Sequence, residues 1–174
     1  MLANRHIISS LVAAGLLAGC GGTSELQDAV LPSKLNVVEV TIDMSDFEGV
    51  EGRELSRTED EIAADVGNAV ATALAEKSDP SGAAATVEIA LKRIELANPV
   101  SRAVAQSSNI RADVSVVTED AVRIVPMQAV VGNSDGIRLA GTLGVLTTPG
   151  VDKDYSDTVA GFAMTLQQLL FEGQ

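Results

Sequence analysis

Tryptophan is absent from this chain of 174 residues; tyrosine, cysteine and histidine occur once each, and phenylalanine three times. Each scarcity excludes something. A single cysteine allows no disulfide within the chain, so the fold must be held by burial. The one histidine is His6, inside a segment that reads as a leader. The remainder therefore lacks the base of Ser-His-Asp and Cys-His mechanisms and the commonest zinc ligand. So few aromatic rings leave little surface on which sugars could stack. Basic residues are also few: 12 Lys and Arg stand against 24 Asp and Glu, for a formal net charge of −12. Nucleic acid is excluded as a natural partner, because phosphate binding needs clustered cations. No lysine has a serine three residues before it, and neither G-x-x-x-x-G-K-[ST] nor G-x-G-x-x-G occurs, which removes the Ser-Lys pair and the two common phosphate loops.

What is present begins with an apolar run from Ile7 to Ala18 behind Arg5, closed by Leu17-Ala18-Gly19-Cys20. Twelve helical residues rise roughly 18 Å, too short for a hydrocarbon core of roughly 30 Å. The pattern of basic start, apolar run and small residues is that of a cleaved targeting segment. Leu17, Ala18, Gly19 and Cys20 together resemble the lipobox of bacterial lipoproteins. That resemblance implies cleavage before Cys20, a thioether-linked diacylglyceryl group on its sulfur and acylation of the new amine, palmitate being a usual chain. Two or three acyl chains on one residue meet the requirement that stable anchoring needs more than a single chain. Gly21 lacks the aspartate that such families associate with inner-membrane retention, so the resemblance implies the outer membrane of a Gram-negative cell, with the domain facing the periplasm.

Residues 1–19 are thus read as signal peptide, 20–34 as a flexible tether carrying Gly21-Gly22-Thr23-Ser24 and Pro32-Ser33, and 35–174 as one domain. Leu35 to Asp43 alternates, with Val38, Val40 and Ile42 on one face, and predicts a strand. Ser56 with Glu59, and Thr58 with Glu61, each fit a capping box. The stripe Ile62, Val66, Ala69, Val70, Ala73 and Leu74 then predicts a helix from Thr58 to Lys77. A second strand spans Ala84 to Ala97 with a bulge near Lys92-Arg93, where the apolar parity changes. Asn98 to Ser108 reads as a loop. Ile110 to Val117, Ala121 to Val131 and Ile137 to Leu146 read as an antiparallel meander, with Pro126 either at an edge or breaking the pairing. Asp154 to Phe171 predicts a final helix, with Gly173 as its stop. The expected fold is α+β, in the order β-α-β-β-β-β-α: two helices on one face of a mainly antiparallel sheet of about five strands. The helix alanines Ala63, Ala69, Ala73 and Ala163 are expected to permit close helix-to-sheet approach.

Three groups of residues could carry function. The segment with Asp43, Asp46, Glu48, Glu51, Glu54, Glu59, Asp60, Glu61 and Asp65 is dense in oxygen ligands. It lacks the register of a calcium loop, so solvation and helix capping are the plainer reading. Arg102 and Arg111 flank the Asn98 to Ser108 loop, whose Val100, Val104 and Ala105 make it a candidate binding surface. Tyr155 reads as the first core residue of the last helix, with its hydroxyl at the rim.

No catalytic residues, metal ligands or cofactor are expected. In element order the domain is similar to small uncharacterised lipoproteins of Gram-negative envelopes. The expectation is a non-enzymatic accessory or assembly subunit, held to the membrane by acyl chains on Cys20 and binding another envelope protein. The rival is an auxiliary lipoprotein that binds lipid for a transport system, in an apolar groove between helices and sheet. The sequence names neither the partner nor the oligomeric state.

Overall fold

The structure is a computed structural model that describes residues 29, 31–104, 106–134 and 148–172. Its elements run β1 (Leu35–Asp43), β2 (Val50–Glu51), α1 (Glu59–Ala75), β3 (Ala83–Glu95), α2 (Pro99–Ala103), β4 (Asn109–Thr118), β5 (Arg123–Asn133) and α3 (Val151–Phe171). The fold is α+β. The strands form one five-stranded mixed sheet in the order β1-β3-β4-β5, with β2 also on β3. β1 and β2 pair with β3 in parallel, because α1 carries the chain back to the end where β1 began; β4 and β5 follow antiparallel. The expected strand from Ile137 to Leu146 lies outside the described residues, as do Gly173 and everything before Ala29.

α1 starts at the second of the two capping boxes. Thr58 accepts from the Glu61 amide at 3.2 Å, and Glu61 Oε2 accepts from the Thr58 amide at 2.8 Å. That backbone hydrogen bond holds the Glu61 carboxyl below its ordinary pKa. Ile62, Val66, Val70 and Leu74 face the sheet, as their spacing requires, and Ala73 is buried beside them. α3 packs against both α1 and β5, and its Tyr155, Phe162, Leu166 and Leu170 are each 2% exposed or less. Gln167, buried between the helices, donates to the Ala73 carbonyl. Both helices thus lie on one sheet face over Val87, Ile89, Leu91, Ile110, Ala112 and Val114. Burial of one such side chain contributes about 1.5–3 kcal/mol.

Two irregularities set which face the side chains take. In β1 the register slips between Val37 and Glu39, so Leu35 and Val37 reach the core on one parity and Val40 and Ile42 on the other. Val38, expected on the inner face, is the extra residue and is 56% exposed. In β5, Val114 pairs with Gln128 and Val116 with Val125. The surplus residue falls at Pro126–Met127, where proline has no N–H to give the ladder. The expected bulge in β3 lies between Leu91 and Arg93.

Glycine brings α3 and β5 together. A Cβ on Gly132 would run into the Phe162 backbone, and one on Gly161 into the Asn133 carbonyl. Of the helix alanines, Ala73 and Ala163 are buried and Ala69 packs against the core. Ala29 and Leu31, within the segment read as tether, rest partly buried against the core.

Candidate functional site

At the end of the sheet where β3 finishes and β4 begins, the loop expected from Asn98 to Ser108 contains a turn of helix. Asn98 Oδ1 accepts from the amides of Val100 and Ser101, both at 2.9 Å, and Pro99 supplies a first residue that needs no N–H partner. S/T-x-x-E signals do not mark such a start, but Asn-Pro at a cap does. The capped turn, α2, leaves Val100 and Val104 78% and 70% exposed.

The loop is fastened by Asp154, in the first turn of α3 and only 2% exposed. Arg102 Nη2 pairs with its Oδ1, and Arg53 Nη1 pairs with Oδ2 at 3.3 Å. Ser108 Oγ donates to Oδ2 at 2.8 Å and accepts from the Ala97 amide at 2.9 Å. A carboxylate here also faces the positive end of the α3 dipole. Arg102 is therefore not a free surface cation, as its place in the loop suggested, but half of a buried ion pair. The residue that holds it was legible only as a helix-start acid.

Beside this fastening lies a polar cleft of about 580 Å³, inside the range of about 300–1,000 Å³ typical of ligand sites. Glu51 and Gly52 form one wall, Glu95 to Asn98 the floor, Ser101, Gln106 and Ser107 the lip, and Asn109, Arg111 and Asn133 the far side. The parallel pairing of β2 with β3 builds the first wall. Gly52 sits at φ +88°, and a Cβ there would meet the Leu96 carbonyl oxygen. Register builds the far side, because Glu95, Asn109 and Asn133 lie opposite one another on β3, β4 and β5. Asn109 Nδ2 donates to Glu95 Oε2 at 2.7 Å, while Asn109 Oδ1 is buried without a hydrogen-bond partner among the described residues. Arg111 pairs with Glu95 at 3.4 Å and stays 48% exposed.

The acidic segment spreads over caps and ion pairs. Asp46 meets Lys92 at 2.9 Å, Glu51 meets Arg93 at 3.3 Å, and Asp65 meets Arg57 at 3.0 Å. These bonds raise Lys92 and Arg93 above their ordinary pKa values. Among the described residues no three acidic groups converge as a metal cluster would require. Tyr155 is buried, and its hydroxyl donates to Asp65 at 3.2 Å under the guanidinium of Arg57, 5.1 Å from the ring centroid. Burial, and then the Asp65 charge, push the phenol well above its usual value. Leu17, Ala18, Gly19 and Cys20 lie outside the described residues.

No family model matches the sequence, and no curated protein matches it. Among solved structures the chain is similar to the protein XCC0632 of Xanthomonas campestris, of the family designated DUF330. The match has a TM-score of 0.40 at 14% identity and covers 82% of this chain and 84% of that one. At that level the likeness carries no argument about what the chain does.

Proposed function

We propose that this chain is a lipid-anchored envelope protein, moored through Cys20 to the outer membrane and facing the periplasm, that acts by binding another envelope protein and performs no catalysis. The observation that carries the choice over lipid carriage is the filled layer beneath α3. Phe162 and Leu166 are fully buried, and the Gly132 backbone presses against the Phe162 backbone. A carrier would need open apolar volume there. The polar cleft is walled by Glu51, Glu95, Arg111 and side-chain amides, groups suited to a polar protein surface rather than an acyl chain. No described helix is long and apolar enough to cross a membrane; the attachment proposed rests on the resemblance of Leu17 to Cys20 to a lipobox.

The test is solvent extraction of the purified protein lacking its anchor, followed by mass spectrometry for lipid. The expected result is lipid far below one mole per mole. A stoichiometric acyl ligand would replace this proposal with the transport-auxiliary reading.

A further inference from the structure

We infer that the cleft formed by Glu51, Glu95, Asn109, Arg111 and Asn133 takes an extended, basic peptide segment of the partner protein; the inference rests on the protein-binding reading and names its site. Asn109 carries the argument. It is nine-tenths buried and lines the cleft, its Nδ2 is spent on Glu95, and its Oδ1 has no hydrogen-bond partner among the described residues. Leaving a buried acceptor unpaired is costly; almost none of the Oδ1 surface is accessible, so an N–H donor of the segment pairs it as the Asn109 side chain turns toward the cleft.

The other groups point to the class of donor. Gln106 and Asn133 add two more side-chain amides to the walls, and a carboxamide presents the same donor and acceptor as a peptide group. They match the main chain of an extended segment. Glu51 and Glu95 are met by Arg93 and Arg111, so the preference in charge comes from the whole chain, whose net charge of −12 attracts Lys or Arg in the segment and repels acidic segments. Among the described residues no aromatic side chain lines the cleft, as stacking a sugar would require. Val100 on α2 and Val104 just after it are exposed on the loop that carries the lip residues Ser101 and Gln106.

The cleft lies away from the start of the sheet. β1 begins at Leu35, level with Gly82 and Ala83 at the start of β3, whereas the cleft is at Glu95, the end of β3. Twelve residues at about 3.3 Å separate the two by about 40 Å. The cleft is thus at the opposite end of the sheet from the first residue of β1.

The test uses the full-length lipoprotein in its native host, with photoreactive benzoylphenylalanine at exposed Gln106 and, separately, at Val122 near the opposite end. Expected is a protein adduct at Gln106, mapped by mass spectrometry to one contiguous segment flanked by Lys or Arg. Asn109→Leu and Glu51→Lys should each lower its yield about tenfold, the equivalent of 1.4 kcal/mol. If Asn109→Leu does not accumulate, Glu51→Lys alone decides, since Glu51 is half exposed on the rim. A lipid or glycan adduct at Gln106, or a protein adduct that ignores the substitutions, overturns the inference. A protein adduct at Val122 with none at Gln106 overturns the cleft but leaves the protein-binding reading standing. No adduct at either position removes both.

Discussion

Arg102 and Asp154, 52 residues apart, form an ion pair that ties the α2 turn to the first turn of α3, with the Asp154 side chain 2% exposed. The pair decides how the lip of the cleft is held, because Ser101 and Gln106 sit on the same loop as Arg102. Removing Arg102 leaves the buried carboxylate with Arg53 as its one cation and with the Ser108 hydrogen bond. Arg102→Met should therefore cost about 3 kcal/mol in urea-induced unfolding, with Arg53 as the remaining partner of Asp154. A loss below about 1 kcal/mol would mean that the pair is not what fastens the loop.

Gly132→Ala should be among the most damaging single-atom additions in the chain. The new methyl would lie 2.4 Å from Phe162 Cα and 2.8 Å from its Cβ, and backbone cannot turn aside as a side chain can. Overpacking of a tight core costs about 1–3 kcal/mol. The expected result is a loss at or above the upper end, read as a drop in melting temperature. Ala69→Gly, on a helix alanine, should lose only about 1 kcal/mol of helix propensity.

Tyr155→Phe removes the hydrogen bond to Asp65 and should cost about 1 kcal/mol at pH 7. The fold raises the phenol pKa above its unfolded value of about 10. Below pH 10 both states keep the proton, and the contribution is complete. Above it the unfolded state ionises while the folded state does not, so stability falls as pH rises. Because Tyr155 is the only tyrosine, unfolding free energies measured from pH 9 to 11.5 should fall less steeply in the Phe variant; parallel curves would contradict this account.

Ala121→Gly should stabilise the protein by about 1 kcal/mol. Ala121 closes the β4–β5 turn at φ 58°, a left-handed conformation that costs a residue with a Cβ about 1–2 kcal/mol. Part of that relief is offset by the extra freedom glycine gains in the unfolded chain. A melting temperature equal to or below that of the wild type would refute it.

Cys20→Ala should abolish metabolic labelling with palmitate and release the protein from the membrane fraction. Labelling at the wild-type level would remove the lipobox reading and the anchoring that rests on it.

The α+β fold, α1 with its Thr58–Glu61 box and the core stripe of α3 were legible because periodicity and capping are local properties of the chain. The β3 bulge could be read from a change of apolar parity, and the break at Pro126 from the missing N–H. The β1 bulge was not legible: Val38 continues an alternating run, and only pairing to β3 pushes it outward. Gly132 and Gly161 gave no local signal, since their role is a contact between elements distant in sequence. The same holds for the site. Arg102 and Arg111 drew notice as cations beside a loop, yet Glu95, Asn109 and Asn133 become neighbours only through strand register, and Asp154 becomes a buried anchor only when α3 docks.

The parallel pairing of β1 with β3 bears on how the domain would carry load. If the domain is moored on its N-terminal side and grips a partner near Glu95, as proposed, a pull between Leu35 and Glu95 runs along the strands. The β1–β3 hydrogen bonds would then be sheared together instead of unzipped one after another. Stretched between two structures, the domain would resist as a stiff link, and its first yielding point would be the packing of Ala29 and Leu31 ahead of the sheet.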